Sequence, residues 1–371
     1  MRKDIINIVA KMSKKLHIQN VAYFLLKHLS IGCPSVKKPE IYLDSVSPEK
    51  RNSCLCSNFI DEHPQYDLEI IIPVYNAAKY LDQCVQSLIH QQTCYRYKAI
   101  FINDGSTDNS LAVLEKYREN PHVTIINTLN QGVSAARNVP LQNIHAKYVM
   151  FVDSDDYLTL DAVEKLLDKA EETEASIVEG NHRYFEEEHT IYVSKHIADP
   201  LHGIRLYGMA CGKVYRAEMF KQIHFPYGVW FEDTINWLVL YQMTEKMEVV
   251  NDVLYHYRST PTGFSKGYNQ DKRRVETYWV TKQLLLDAQK LGIKPTVFYY
   301  ETFLRQCQLN TRRVAMLGDY KADFALFEAH RQLRDTYFKD MHAQGEKEKR
   351  IESALLNDDY KEYLLYCLFL Y

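Results

Sequence analysis

Between residues 68 and 172 the sequence alternates short apolar runs with amphipathic segments, and this alternation limits the fold more than any other feature of the chain. The first run, residues 68–74, is almost entirely apolar, as expected for a strand that is covered on both faces. Strands that alternate with helices predict an α/β fold with a mostly parallel sheet wound by right-handed crossovers. The predicted strands lie at 68–74, 98–102, 122–126 and 147–152, and the predicted helices at 78–91, 108–117, 134–138 and 162–172.

The regions on either side of this core have different patterns, which predicts three parts of the chain. Residues 1–65 read as a basic extension followed by a linker that is rich in proline. Residues 66–265 contain the alternating pattern and one more strand-like run at 247–257. Residues 266–371 have helical periodicity throughout, so we predict a C-terminal helical region.

The basic extension has two interpretations that the sequence leaves open. Residues 1–40 contain eight Lys or Arg residues and two acidic residues, a net charge of +6. Apolar residues recur at helical spacing in segments 5–12 and 21–29. A basic amphipathic helix of this kind lies on an anionic membrane surface or packs on the protein body with its basic face in water.

Composition excludes several classes of protein. The whole chain has 45 Lys or Arg residues and 48 acidic residues, so it carries no broad positive field for nucleic acid. It contains no apolar run of 18 residues, so we expect no spanning helix. The start lacks the continuous apolar core of a secretory signal, so we expect a cytoplasmic protein whose eight cysteines are reduced.

Acidic residues follow directly after two of the predicted strands. Asp104 follows the second strand, and Asp153, Asp155 and Asp156 follow the fourth. In an open parallel sheet, ligands bind beyond the carboxyl ends of the strands. Three neighbouring carboxylates repel one another unless a cation compensates, and an Asp-x-Asp pair suits Mg²⁺ or Mn²⁺ bound together with a diphosphate. The alternative is an Asp-rich turn and helix cap. A calcium loop of the EF-hand type is excluded because Leu158 stands where that loop needs glycine.

Four segments, two of which contain these acids, occur in a characteristic order at intervals of about 20–30 residues. They are Pro-Val-Tyr-Asn at 73–76, Asn-Asp-Gly-Ser-Thr-Asp at 103–108, Gln-Gly-Val-Ser-Ala-Ala-Arg-Asn at 131–138 and Asp-Ser-Asp-Asp at 153–156. This order resembles the family 2 glycosyltransferases, which have the GT-A fold, a Rossmann-like sheet wound with helices. The resemblance covers about residues 67–265 and is strong to about residue 180. It implies a donor half at 66–180 and an acceptor half at 181–265.

The resemblance implies a role for several residues of the donor half. Pro73 and Tyr75 would line the base pocket, with Tyr75 stacked on uracil. Asp104 would accept a hydrogen bond from the uracil ring N–H, and Arg137 would lie near the nucleotide. The absence of a Gly-x-Gly-x-x-Gly motif after the first strand argues against a dinucleotide site.

The acids after the fourth strand would bind the rest of the donor. By resemblance, Asp153 would contact the ribose or assist the metal, and Asp155 would bind Mn²⁺ or Mg²⁺ directly. The doubled acid leaves Asp156 as an alternative metal ligand.

The acceptor half would supply the base. The sequence Trp-Phe-Glu-Asp-Thr at 230–234 resembles a family motif in which Asp233 is the general base, although an acidic pair also stabilises a helix N-terminus electrostatically. Lys213 would face the donor or the acceptor. His256 and Arg258 would lie on a loop over the diphosphate, and a surface or core role is equally open for both.

The resemblance thus implies an enzyme that moves a sugar from a UDP-sugar to a hydroxyl of a glycan or a lipid-linked saccharide, by a metal-assisted inverting displacement. Such an enzyme would serve bacterial surface polysaccharide synthesis, such as capsule or lipopolysaccharide, in the cytoplasm or peripherally on the inner face of the membrane. The Gln-x-x-Arg-Trp motif of processive synthases is not found, so we expect addition of one or a few sugars. The alternatives are a catalytically silent sugar-nucleotide-binding scaffold and a nucleotidyltransferase on the same scaffold.

Overall fold

The structure, a computed structural model, describes residue 9 and residues 19–27, 34–187, 189–199, 203–244, 246–260 and 271–370. The chain divides into two compact units. A sheet unit comprises Asn52–Gly228 and Glu232–Gly263, and a helical unit comprises Met1–Arg51, Val229–Phe231 and Phe264–Tyr371.

The elements are numbered here in chain order over the described residues. They are α1 Gln19–Lys27, α2 Pro39–Val46, β1 Phe59–Ile60, β2 Tyr66–Val74, α3 Ala78–Ile89, β3 Tyr97–Asp104, α4 Ser110–Glu115, β4 Val123–Thr128, α5 Val133–Leu141, β5 Asn143–Ile144, β6 Ala146–Phe151, β7 Tyr157–Leu158, α6 Ala162–Thr173, β8 Ile177–Glu186, β9 His189–Val193, β10 Ile197–Asp199, β11 Gly203–Arg205, β12 Lys213–Arg216, α7 Thr234–Leu238, β13 Met247–Arg258, α8 Glu276–Lys290, α9 Val297–Ala315, α10 Tyr320–Tyr337, α11 Glu346–Leu356 and α12 Tyr360–Phe369. Short 3₁₀ helices lie at Ala217–Phe220, Leu240–Gln242 and Lys272–Val275.

The sheet unit is built on one mixed sheet. Its strands lie in the order β4-β3-β2-β6-β12-β8-β13-β7, and β9 pairs with β8 outside this path. Strands β4, β3, β2 and β6 are all parallel to their neighbours, as the alternating sequence pattern predicts. Strand β12 runs antiparallel between β6 and β8 and joins the parallel half to the rest of the sheet.

The order of the parallel strands creates a crevice at a definite place. The chain moves outward from β2 to β3 and β4, and then returns to the other side of β2 to form β6. Loops after β2 and β6 therefore leave the sheet at a point where the winding direction reverses. In open α/β sheets, this switch point at the carboxyl ends of the strands is where ligands bind.

Helices α3 and α6 cover this sheet with the faces that the sequence periodicity predicts. Leu81, Val85 and Leu88 of α3 are fully buried in the same core as the alternate residues of β2. Each fully buried large aliphatic side chain contributes about 1.5–3 kcal/mol of transfer free energy, so this layer is a major source of stability for the parallel half.

The helical unit contains α1, α2 and α8–α12, and the predicted C-terminal helical region is confirmed. Helix α1 buries Ala22, Tyr23 and Leu26 against Leu365 and Phe369 of α12. Of the side chains described in this helix, these three are therefore covered by protein, whereas Val21 is 56% exposed. The predicted helix at 5–12 lies outside the described residues, apart from residue 9. In the described part of the chain, no helix has the length and apolarity needed to cross a bilayer.

Several local predictions were wrong. Helix α2 forms inside the segment that we expected to be a linker, and it starts at a proline, which suits the first helical turn. Helix α5 continues through Pro140 to Leu141 and does not end before the proline. The sequence at the start of α6 allows a capping box between Asp161 and Glu164, but this box does not form, because Glu164 instead accepts hydrogen bonds from the Thr93 hydroxyl and the Cys94 backbone N–H.

Candidate active site

The loop after β2 is fixed to the loop after β3 by side chain to backbone hydrogen bonds. The side-chain oxygen of Asn76 accepts from the backbone N–H groups of Thr107 and Asp108, at 2.8 and 3.3 Å. In return, the Ala78 backbone N–H donates to Asp108. Asn76 has a positive φ of 50°, a conformation that asparagine tolerates better than most residues. The two motifs therefore form one rigid rim at the carboxyl ends of adjacent strands.

Tyr75 lies on this rim with 51% of its surface exposed. Pro73 is half-buried at the end of β2, beside β3 in the parallel register. An exposed tyrosine beside a fixed backbone offers a ring face for a planar ligand.

Asp104 ends β3 and is buried, with both carboxylate oxygens in use. The backbone N–H of Gln131 donates to Oδ1 at 3.0 Å, and that of Gly132 donates to Oδ2 at 2.8 Å. The Thr128 hydroxyl donates to Oδ1 at 3.3 Å. A carboxylate has about four lone-pair sites and three are used by these donors, so about one site of Asp104 stays available to a ligand. Asp104 therefore connects the loop after β4 to the switch point.

Arg137 bridges two acids that lie far apart in the sequence. One guanidinium nitrogen donates to Asp153 and another donates to Glu232, both at 2.9 Å. The Arg137 side chain is only 6% exposed. Burial by itself lowers the pKa of Arg137, but the adjacent Asp153 and Glu232 raise it above its usual range, so the guanidinium stays charged. This bridge joins the acid cluster after β6 to the acidic pair that precedes α7.

The carboxylate of Asp153 also contacts a thiol. The thiol of Cys211 donates to its second carboxylate oxygen at 3.6 Å. Burial and the charge of Asp153 raise the pKa of Cys211 well above its usual range, so the group stays a neutral thiol. One third of the Asp153 side chain remains exposed.

Asp155 and Asp156, the two candidate metal ligands, have different surroundings. Asp156 is buried and accepts hydrogen bonds from the Tyr255 hydroxyl at 2.6 Å and the Arg258 backbone N–H at 2.7 Å. Asp155 is half-buried, and its backbone carbonyl, not its carboxylate, accepts a hydrogen bond from the Arg258 side chain. Burial and the neighbouring charge of Asp153 raise the pKa of Asp155 to about 6. Asp156 thus holds strand β13 in place, while the carboxylate of Asp155 lies outside these contacts.

Arg258 and His256 at the end of β13 are both held by packing. The Arg258 guanidinium donates to the Asp155 carbonyl at 2.8 Å and lies 4.6 Å from the ring centroids of both Tyr80 and Phe185. The His256 ring stacks on Tyr157 with centroids 4.3 Å apart. Burial, followed by the nearby charge of Arg183, lowers the pKa of His256 to about 4, so the ring is neutral at pH 7.

Lys213, which the resemblance placed facing the donor or acceptor, is fully buried in the structure. Its ammonium lies 2.6 Å from Glu179, which is equally buried, and it donates to the backbone carbonyls of Tyr207 and Met209. Burial raises the pKa of Glu179 to about 7, against the opposing effect of Lys213. Lys213 therefore holds the loop that precedes β12 through these contacts.

Asp233 lies at the N-cap position of α7, next to Glu232. Its backbone carbonyl accepts from the backbone and side-chain N–H groups of Asn236, both at 3.0 Å. Burial raises the pKa of Glu232, against the opposing effect of Arg137. Asp233, the predicted base, is therefore adjacent in sequence to Glu232, which Arg137 links to Asp153.

Sequence reasoning missed three residues that build this site: Glu232 as the second partner of Arg137, Tyr255 as the partner of Asp156, and Cys211 beside Asp153. The Tyr255 hydroxyl also accepts from the backbone N–H of Asp153, at 3.2 Å. No local signal marks these residues, because each meets its partner across 58 to 102 residues of chain.

The donor set suits a hard divalent cation that is shared with a substrate. Among the residues described, no three or more His, Cys, Asp or Glu side chains gather into a metal cage. Mg²⁺ and Mn²⁺ are commonly held by one or two carboxylates together with substrate phosphates, and such a site needs no cage. Burial, followed by the charge of Asp153, raises the pKa of Asp155, and a bound cation would favour its charged form.

Residues 69–231 match the model of the family described as Glycosyl transferase family 2. These residues therefore form a family 2 glycosyltransferase domain. The match contains all four motifs at the carboxyl ends of the strands and ends next to the acidic pair before α7.

Curated relatives support the same assignment. Glycosyltransferase GlyA of Streptococcus pneumoniae is 30% identical over 288 residues, which cover 66% of this chain and 41% of the relative. Chondroitin synthase of Pasteurella multocida is 43% identical over 101 residues, 27% of this chain and 10% of the relative. The glycosyltransferase domain is thus shared with longer proteins, and this chain spans less than half of the length of GlyA.

A solved structure confirms the fold class. S. aureus TarS residues 1–349, crystallised in complex with UDP-GlcNAc, superimposes with a TM-score of 0.63 at 19% identity. The superposition covers 80% of this chain and 89% of the TarS chain. The predicted GT-A fold of the glycosyltransferase domain is therefore confirmed.

Proposed function

We propose that this chain is a glycosyltransferase that moves a sugar from a UDP-sugar to a hydroxyl group of a glycan or a lipid-linked saccharide. One observation carries the proposal: three adjacent strands place the following side chains at one edge of the sheet. Strand β3 ends in Asp104, β2 is followed by Tyr75, and β6 is followed by the acids at 153–156. An aromatic ring and a fixed carboxylate suit the base of a nucleotide donor, and the acid cluster at the same switch point suits its ribose and its metal-bound diphosphate.

The base of the donor would bind at the rim between the loops after β2 and β3. Tyr75 offers an exposed ring for stacking, and Pro73 gives the pocket a rigid wall. Asp104 is fixed by the backbone at 131–132 and would accept the ring N–H of uracil. The likeness to TarS, which was solved with UDP-GlcNAc, supports a UDP-sugar as the donor class.

Asp155 would hold a Mn²⁺ or Mg²⁺ ion, because the carboxylate of Asp156 is already engaged by Tyr255 and Arg258. When bound, such an ion supplies positive charge against the diphosphate leaving group. Asp153, held by Arg137, would contact the ribose. Arg258 would position the Asp155 loop, since it donates to the Asp155 carbonyl.

Asp233 would act as the general base that takes the proton from the acceptor hydroxyl. The neighbouring Glu232 is fixed by Arg137, so the base sits on a backbone that is tied to the donor side of the site. Attack from the side opposite the leaving group inverts the anomeric carbon in a single displacement. Lys213 and His256 lie in buried contacts and would shape the acceptor side without touching the reacting atoms.

The wider setting is also a proposal. The relative named chondroitin synthase supports a role in polysaccharide synthesis. We assign the reaction to the cytoplasm or the inner face of the membrane, and the basic face of the extension 1–65 to water or to an anionic lipid surface. We further assign residues 66–265 to catalysis and residues 266–371 to a helical region that supports it.

A thermal-shift screen across nucleotide sugars, with and without Mn²⁺, tests the donor assignment, because selective binding stabilises a protein by mass action. We expect UDP and UDP-sugars to raise the unfolding temperature more than GDP-sugars, and only with metal. Hydrolysis of the stabilising UDP-sugar by the wild type, and its loss in Asp233→Asn, then tests the enzyme. Stabilisation without any turnover would favour the silent scaffold.

A further inference from the structure

The side-chain amide of Asn236 lies at the centre of a buried hydrogen-bond network in the sheet unit. Asn236 belongs to α7 and is fully buried. Its Nδ2 group donates to the backbone carbonyls of Gly208 and Asp233, both at 3.0 Å, and its Oδ1 accepts from the Tyr215 hydroxyl at 2.7 Å. Two carbonyl partners require the NH₂ group on their side, so the partners fix the orientation of the amide. The amide therefore joins three segments: the start of α7, the loop before β12, and β12 itself.

The loop before β12, at 206–212, contacts both α7 and the acid cluster. A Cβ on Gly208 would lie 2.0 Å from the indole nitrogen of Trp237 in α7, so a glycine is needed for this close approach. At the far end of the loop, the Cys211 thiol donates to the carboxylate of Asp153 at 3.6 Å. A shift of this loop would therefore be felt at both places.

Tyr215 connects the network to the centre of the sheet. Strand β12 pairs with both β6 and β8. The Tyr215 ring is fully buried and packs edge-on against Phe151 of β6, with centroids 5.9 Å apart. Because β6 leads directly into the acids at 153–156, the hydroxyl that holds Asn236 is packed against the strand that carries the acid cluster.

Helix α7 depends on such contacts for its position. It has five residues, and isolated helices shorter than about 12 residues are marginal in water. On its N-terminal side, Glu232 is bound by Arg137. One turn later, Asn236 binds the carbonyls of Asp233 and Gly208. The backbone of Asp233 is thus held from both sides.

We propose that Asn236 is a positioning residue for the general base Asp233, which it holds at a fixed place relative to the acid cluster. This inference rests on the proposed function. Asn236 acts through the backbone of Asp233, which its amide ties to the loop that contacts Asp153. A displacement of about 1 Å in a catalytic site can cost about 10²-fold in rate, so a contact that fixes this backbone controls how fast the acceptor proton is removed.

The polar character of the network favours a role in geometry over a role in stability alone. Burying an amide costs desolvation free energy that its hydrogen bonds largely offset, and apolar packing at the same place can be equally stable. Hydrogen bonds are directional, and a fully bonded network specifies one arrangement of its members. Both polar atoms of the Asn236 side chain are bonded in this way. A role in stability alone would give no selective effect on turnover.

The test compares Asn236→Ala with a matched control in the Mn²⁺-dependent hydrolysis of a UDP-sugar by the full chain. The control is Asn181→Ala, which removes a buried amide of β8 that donates to the Asn251 carbonyl at 2.7 Å. We expect Asn236→Ala to lower kcat about 10-fold to 10²-fold with KM for the UDP-sugar changed less than about twofold, and Asn181→Ala to keep both values. Calorimetric titration with UDP and Mn²⁺ should give the same number of sites per chain in each protein, which shows that the loss of kcat is not due to inactive protein.

A second variant keeps the idea testable if Asn236→Ala does not fold. Tyr215→Phe retains the packed ring and removes only the hydroxyl that donates to Asn236. We expect it to lower kcat by about threefold to tenfold, again with an unchanged KM. Circular dichroism checks that each variant is folded.

The possible failures are distinguishable. The positioning role alone is overturned if the wild type hydrolyses the UDP-sugar and the folded variant of Asn236 or Tyr215 keeps its kcat. It is also overturned if the loss of kcat is equalled by Asn181→Ala or by a loss of UDP sites. The proposed function is overturned, and the positioning role with it, if the wild type hydrolyses no nucleotide sugar.

Discussion

Replacing Arg137 with methionine removes the only contact described here that ties Asp153 directly to Glu232. Methionine fills similar space and keeps apolar contact with the Phe225 ring, which lies 5.3 Å from the guanidinium. The variant therefore tests the charge bridge more than the packing of α5.

The expected cost follows from burial. Breaking a buried ion pair by removing one partner costs about 3–5 kcal/mol, because a charge is left without compensation. The Glu232 side chain is 15% exposed and the Asp153 side chain 32% exposed, so both keep some hydration. We therefore expect Arg137→Met to lose about 3 kcal/mol of unfolding free energy at pH 8, the lower end of that range.

Urea unfolding followed by far-UV circular dichroism measures this loss. The loss should shrink between pH 8 and pH 5, because burial raises the pKa of Glu232, and without the opposing effect of Arg137 this carboxylate takes up a proton more readily. Adding Asp153→Asn and Glu232→Gln to the variant should restore about half of the lost stability, since no unpaired charge then remains. An Arg137→Met protein within about 0.5 kcal/mol of the wild type at pH 8 would refute the bridge, because that range is typical of substitutions without structural effect.

Three other variants test separate parts of the account. Burial raises the pKa of Glu69 to about 7, so the neutral form stabilises the fold below pH 4.5, and this contribution is lost as the pH rises through 7. In urea unfolding, Glu69→Gln should therefore be about 1–2 kcal/mol more stable than the wild type at pH 8 and almost equal to it at pH 5. A Cβ on Gly105 would lie 2.8 Å from the backbone nitrogen of Asn130, and Gly105 has a φ of +66°. Gly105→Ala should therefore lower the free energy of unfolding by about 1–3 kcal/mol. An unchanged melting temperature would contradict the close approach of these loops. Asp233→Asn should lower kcat for sugar transfer about 10²–10⁴-fold with little change in KM for the donor; a normal kcat would remove Asp233 as the base.

The parallel half of the sheet could be predicted from the sequence because its signals are local. Strands β2, β3 and β6 are apolar and are followed at once by polar loops, so the residues at their ends could be placed on one edge. The end of β3 at Asp104 and the acids after β6 were located in this way. Predicting these positions requires only the direction and order of the strands, and the alternation of strands with helices indicates both.

Strand β8 could not be predicted, because its sequence reads as polar. It contains Glu179, Asn181 and His182, all of which are buried in the structure. The Glu179 carboxylate is tolerated there because Lys213 of β12 lies beside it. Such a pairing depends on the antiparallel insertion of β12 between β6 and β8, which no local pattern reveals.

The same limit applies to the hydrogen-bond partners of the acids in the site. The choice between Asp155 and Asp156 stayed open in the sequence because both acids follow the same strand. The structure distinguishes them through Tyr255 and Arg258, which lie about a hundred residues further along the chain. Partners that are far apart in the sequence and meet only in the folded sheet cannot be recognised from the spacing of residues.

The central claim is that the carboxylate of Asp155 helps to bind a nucleoside diphosphate through a divalent cation. Isothermal titration of UDP into the wild type and into Asp155→Asn, each with and without Mn²⁺, tests it most directly. We predict that UDP binds the wild type only when Mn²⁺ is present, and that Asp155→Asn loses this binding while Asp156→Asn, tested alongside, keeps part of it. Equal, metal-dependent binding of UDP by Asp155→Asn and the wild type would contradict the account.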